Sequence, residues 1–203
     1  MFTSSLRCWS NLSCSQSDKW MDQNKSAQYV VVRRLYAVDQ AEICDHFRRL
    51  DIASRRARFL GAVSDEGVAS YARSIFHFDS ILCGAFLDGY LRGVVELRGI
   101  VHFWPSTTEA AFSVEHDWQN IGIGDALFER MMAMAQNRSI RSIQLMCLKK
   151  NARMRYLATK HSARLHLDQD VVEAVLYPYW PTPASVAKEI IVETIGAAHL
   201  FSA

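Results

Sequence analysis

No apolar run in the 203 residues approaches the ~20 needed to span a bilayer, so no membrane partner is expected. No secretory leader is expected either, because Arg7 is the one early basic residue and no continuous apolar segment follows it. Paired cysteines are absent too. Cys8, Cys14, Cys44, Cys83 and Cys147 form no Cys-x-x-Cys element, and an odd count argues against a complete disulfide framework. A reducing cytoplasm is therefore the expected compartment. Metal-ligand spacing is missing: the seven histidines include no His-x-x-x-His or His-Glu-x-x-His, and no metal is expected. Charge of one sign is not in excess either. Lys and Arg number 23 against 21 Asp and Glu, and a net charge of +2 implies neither nucleic acid nor an anionic membrane as a partner.

What is present is 50% hydrophobic residues, enough for a full core. Residues 1–28 are rich in serine and show no sustained period, which reads as a mobile N-terminal arm. Residues 29–180 read as one domain. Strands are expected over 29–36, 80–87, 93–98, 109–114, 140–148 and 171–177, and helices from Asp39 to about 50, from Ser64 or Asp65 to about 76, after Gly122, and over 151–161. Asp88-Gly89 is a hairpin turn signal, and Trp104-Pro105-Ser106 a loop. Pro181 and Pro183 end the domain. Residues 181–203 then resume a helical pattern through Val186, Ile190, Ile191 and Ile195, an apolar face that packs either on its own domain or across a homodimer interface.

The richest stretch runs from Ala111 to Leu127, where a buried strand turns sharply into a helix carrying Leu127, Met131 and Met134 on one face. Gly122 and Gly124 allow backbone conformations closed to other residues, so consecutive N–H groups can converge at a helix N-terminus. Such a point attracts phosphate. A dinucleotide fold fails here: the third glycine of its fingerprint is missing, and about twenty residues on the chain offers Gln144 where an acid would bind ribose.

The element Gln119-x-x-Gly122-x-Gly124 between strand and helix, followed by Asn151-x-x-Met154 after the next strand, resembles the pyrophosphate signature of the Gcn5-related N-acetyltransferases. Ser54-Arg-x-x-Arg58-Phe59 is similar to an element of the branch that includes protein-lysine acetyltransferases, where it helps to shape the acceptor side. Its three arginines, Arg55, Arg56 and Arg58, otherwise solvate a helix face and pair with Asp51, Asp65 or Glu66. The resemblance implies a mixed α/β acetyl-CoA N-acyltransferase fold, a twisted mixed sheet of six to seven strands flanked by about four helices. It implies acetyl-CoA as donor and direct attack by a primary amine, either of a small molecule or of a protein.

By the same resemblance, coenzyme A contacts Val114, the turn Gln119, Asn120, Ile121, Gly122, Ile123, Gly124, Asp125 and Ala126, and Asn151. Val114 N–H is the expected donor to the thioester carbonyl. Glu109 is the expected general base, ten residues before the signature Gln, with Glu115 in reserve. Glu109, Ala111, Ser113 and Glu115 share one strand face unless a bulge intervenes. The chain departs from the family pattern in several places. Asn120-Ile121 removes a cation beside the diphosphate, Asp125 adds a negative charge expected to weaken phosphate binding, and Ala158 stands where many relatives carry an acidic Tyr. Ser162-Ala163 replaces a common Gly-Phe. These departures sustain an alternative, a non-catalytic module that binds acyl-CoA.

Overall fold

The computed structural model describes residues 30–100 and 107–200, with the backbone alone for 197–200. The expected N-terminal arm and the loop at Trp104 and Pro105 lie outside the described residues. The strands are β1 (Val31–Arg34), β2 (Ser80–Leu87), β3 (Tyr90–Arg98), β4 (Thr107–Val114), β5 (Ser142–Leu148), β6 (Arg164–Asp168) and β7 (Val171–Leu176). The helices are α1 (Gln40–Arg49), α2 (Ile52–Phe59), α3 (Asp65–Arg73), α4 (Ile123–Asn137), α5 (Ala152–Lys160) and α6 (Pro183–Leu200).

One seven-stranded sheet runs in the order β1-β2-β3-β4-β5-β7-β6. Every neighbouring pair is antiparallel except β4 and β5, which are parallel and joined by the α4 crossover. Ile43, Phe47, Val68 and Ala72 pack α1 and α3 on one face against Leu82, Leu91 and Val94. On the other face Leu127, Phe128, Met131 and Met134 of α4 meet Cys83, Val95 and Phe112, and α5 adds Ala158. Phe112 and Phe128 stack at 5.3 Å between ring centroids. The mixed α/β fold is thus the one expected.

Local chemistry explains the element ends. Ser64 Oγ accepts the Gly67 N–H at 3.1 Å to cap α3, and Asn151 Oδ1 accepts the Met154 N–H at 3.1 Å to cap α5. Asp88 and Gly89 form the two-residue turn with φ of 52° and 78°. Asp39, expected as the cap of α1, makes no side-chain bond to that helix; its buried carboxylate accepts the Tyr36 N–H at 2.8 Å and pairs with Arg33 at 2.7 Å.

Two elements add to the expected order. α2 occupies the arginine-rich segment, capped by Asp51, whose Oδ1 accepts the Ser54 N–H at 2.8 Å. It buries no residue completely, so it leaves no hydrophobic period. β6 is an edge strand with no buried side chain and gives no alternating signal for the same reason.

α6 packs on its own domain, against β1 and α4, through polar contacts. Arg130 meets Glu193 at 2.8 Å, Arg138 meets Glu189 at 2.9 Å, and the Tyr36 hydroxyl donates to Glu193 at 3.1 Å. Val186, Ile190, Ile191 and Ile195, the apolar face expected to pack on the domain or across a homodimer interface, are exposed. No helix among the described residues is long and apolar enough to cross a membrane.

Candidate functional site

A break in the sheet lies at the centre of the molecule. β4 and β5 pair from Thr107 with Ser142 to Ala110 with Leu145, and there the ladder ends although both strands run on. On its other side β4 stays paired with β3 through Val114 opposite Gly93, with no shift in register. The next residue fixes which groups face the break. Glu115 N–H donates to the Arg92 carbonyl at 3.0 Å, so odd-numbered β4 residues aim their N–H at β3. The N–H groups of Phe112 and Val114 therefore face the gap beside β5. Val114 was expected from the sequence; Phe112 was not, because the donor direction follows from register. The Val114 carbonyl accepts from Gln119 Nε2 at 2.9 Å, and the same amide donates to Ser54 Oγ of α2 at 3.2 Å.

The turn after β4 lies at the mouth of this gap. Asn120 and Gly122 hold φ of 63° and 95°. A Cβ on Gly122 would meet nothing within 4 Å, so conformation rather than space requires glycine there. Gly124 answers a different demand, since its Cβ would lie 3.0 Å from Leu157 Cδ1, and its absence lets α5 approach the start of α4. The first bond of α4 runs from Ala126 N–H to the Gly122 carbonyl at 3.0 Å. The N–H groups of Ile123, Gly124 and Asp125 thus lack helical partners. Two residues of the expected cradle have their N–H committed elsewhere: Ala126 in that bond, and Gln119 to the His116 carbonyl at 3.2 Å. Ile121 packs against the core.

Asp125 is not the free anion expected. Its carboxylate accepts from Lys160 Nζ at 2.6 Å and contacts His161 Nε2 at 3.0 Å. The Lys160 hydrogen bond, reinforced by His161, holds the carboxyl below its ordinary pKa. Ser162, where relatives carry glycine, takes a φ of 63°, and the Ala163 N–H returns to the Ala158 carbonyl at 2.9 Å. Ala158 is completely buried and Tyr156 is exposed.

On the α1–α3 face, the β3–β4 pair carries a row of polar residues. His46 Nε2 lies 2.9 Å from Ser113 Oγ, and its Nδ1 lies 3.2 Å from Glu115 Oε1. Glu115 also accepts from Arg49 Nε and from Arg92 Nη1, each at 2.8 Å. Burial would raise the Glu115 pKa, but the hydrogen bonds from His46, Arg92 and Arg49 outweigh it and hold the carboxyl below its usual value. Burial also lowers the His46 pKa, against the upward pull of Glu115. The imidazole is therefore neutral near pH 7, and Glu115 is a fully paired carboxylate. One step along the strands, Glu96 accepts from Arg58 at 2.6 Å, Arg98 at 2.9 Å and the Tyr71 hydroxyl. Arg58 thus turns inward to Glu96, while Arg55 pairs with Asp65. Burial, chiefly, pushes the Tyr71 phenol above its ordinary range.

Glu109 lies on this same face, register partner to Arg98. No bulge separates it from Ala111 and Ser113; the irregularity falls in the β2–β3 pairing, where Ala85 pairs with Gly93 and Phe86 with Leu91, leaving Arg92 of β3 unmatched. Its side chain is exposed, about 16 Å along the strand from Val114. Among the described residues, no three His, Cys, Asp or Glu converge as a metal site.

The model of the acetyltransferase (GNAT) family matches residues 42–162. No curated protein matches the sequence. Among solved structures, the GNAT domain of S. lividans PAT has a TM-score of 0.63 at 20% identity, covering 76% of this chain and 97% of that one. The spermidine N-acetyltransferase from Vibrio cholerae in complex with CoA and spermine has a TM-score of 0.60 at 16% identity, covering 73% and 95%. For the PaiA N-acetyltransferase from Thermoplasma acidophilum in complex with coenzyme A the values are 0.57 and 17%, with 73% and 99% covered. These likenesses are of fold.

Proposed function

The chain belongs to the acetyltransferase (GNAT) family, and from that premise we propose that it transfers the acetyl group of acetyl-CoA to a primary amine by direct attack in a ternary complex. The observation that carries the proposal is the ladder break after Ala110–Leu145, which opens beside a turn with three helix N–H groups that have no partner among the described residues. A slot with main-chain donors suits an amide-bearing pantetheine arm, and a helix N-terminus suits a diphosphate.

The reaction makes two electrostatic demands. Charge growing on the thioester oxygen needs a fixed donor, and Val114 N–H takes that role, with Phe112 N–H facing the same gap. The amine must also lose a proton, since a lysine-like amine is more than about 99.9% protonated at pH 7. Glu109 is the proposed base. It makes no ion pair among the described residues and lies on the acceptor-side face, so a proton leaving an amine at the slot would reach it through bridging water. Glu115 is unsuited to that work, having both oxygens committed to arginines, and serves instead to position β4. Replacing Glu109 by Gln and following turnover with an active amine from pH 6 to 9 tests the assignment. Turnover is expected to fall across the whole range, and an unchanged profile overturns the role.

A second reading, an acyl-CoA-binding module without catalysis, is favoured by the buried Ala158, which leaves no hydroxyl where a general acid would stand. Detectable turnover with any amine excludes it. The free thiols of Cys44, Cys83 and Cys147 fit a reducing cytoplasm. Ile190, Ile191 and Ile195 offer the surface for a homodimer.

A further inference from the structure

The turn that would hold the diphosphate has no cation of its own. Asn120 and Ile121 precede Gly122, and Asp125 adds a carboxylate at the same helix end. α5 supplies what the turn lacks. Gly124 admits Leu157 at close range, so α5 lies alongside the turn and the first residues of α4. From one end of α5, Arg153 donates through Nε to Asn120 Oδ1 at 3.1 Å. Its terminal nitrogens make no bond to any described residue, and the side chain is exposed beside the turn. From the other end, Lys160 and His161 take up both oxygens of Asp125.

We propose that Arg153 is the phosphate-binding cation of this chain, relocated from the turn to α5, and that Lys160 and His161 neutralise Asp125 so that an anion can approach. The ligand group is the diphosphate of coenzyme A, so the inference rests on the acetyl-CoA reading above. The geometry suits the task. A guanidinium tethered at Nε keeps its two terminal nitrogens as a planar fork, the arrangement that grips phosphate oxygens in pairs. Tethering also reduces the side-chain freedom lost on binding. Asn120 acquires a role as the anchor of that arginine, although a polar residue there seemed a defect beside the cationic pattern of relatives.

The test is calorimetric titration of the full chain and its variants with coenzyme A and with 3′-dephospho-coenzyme A. Arg153→Ala is expected to weaken both ligands equally, by about tenfold, the scale of one charge-assisted contact at a partly hydrated site. Arg153→Lys should recover part of the loss, and the difference should shrink with added salt. Lys160→Ala should also weaken binding, with Asp125→Asn restoring it in the double variant. An Arg153→Ala protein that binds both ligands as tightly as the unmodified chain overturns the inference and leaves the acetyl-CoA reading standing. A loss confined to coenzyme A would place Arg153 on the ribose phosphate, which also overturns it. No binding by the unmodified chain at millimolar ligand removes the site itself, and both readings with it.

Discussion

Replacing Glu115 by Gln should cost much stability, with little change in the chemistry of proton transfer. The carboxylate is 5% exposed and serves three donors, Arg49, Arg92 and His46. Removing its charge leaves two guanidiniums over the β3–β4 face without a counter-ion. Breaking a buried pair in this way costs about 3–5 kcal/mol. Arg49 keeps 37% of its side chain in water and recovers some hydration, which points to the lower end, about 3 kcal/mol. For a chain of this length that corresponds to a fall in Tm of about 6–12 °C.

Thermal melts of both proteins by circular dichroism would measure it, and their pH dependence adds a sign. The folded pKa of Glu115 is depressed, so its contribution is fully present above the unfolded value near 4.3 and fades as pH falls through the folded value. The gap between the two proteins should therefore close on acidification below about pH 5. His46, also depressed, withdraws stability from both as pH drops below about 6.5. Melting of Glu115→Gln within a degree of the unmodified protein at pH 7.5, or a gap that widens in acid, would refute this account of the cluster.

Two further substitutions test the slot and the turn. Gly122→Ala forces a side chain into a φ of 95° with no steric neighbour, so a loss of about 1–2 kcal/mol in urea unfolding and weaker acetyl-CoA binding are expected; unchanged stability would contradict the conformational argument. Val114→Pro deletes an N–H that serves no bond to β3, so the fold should survive while kcat falls by about 10²–10³, read by thiol release; full activity would remove Val114 from the oxyanion role.

The turn was legible in the sequence because local chemistry determines it: glycine at Gly122 for a positive φ, and an amphipathic α4 behind it. Ser64, Asn151 and the Asp88-Gly89 turn were readable on the same grounds. What the sequence could not supply was register. Glu109 and Glu115 look equivalent when counted by twos, and only the strand pairing and α1 show that one is exposed and the other held by two arginines. The pairing of Arg58 with Glu96 spans 38 residues, and that of Lys160 with Asp125 spans 35. Neither leaves a periodic signal. α2 and β6 escaped because elements without a buried face have no pattern to read, and the contacts of α6 were not legible because its acids make them while its apolar residues face solvent.

On the proposed reading, the turn from Asn120 to Asp125 and the gap beside Val114 together hold acetyl-CoA. Titration calorimetry of the purified chain with acetyl-CoA at fixed salt tests it most directly. One site per chain with micromolar affinity is expected, whereas no heat of binding at millimolar acetyl-CoA would overturn the assignment.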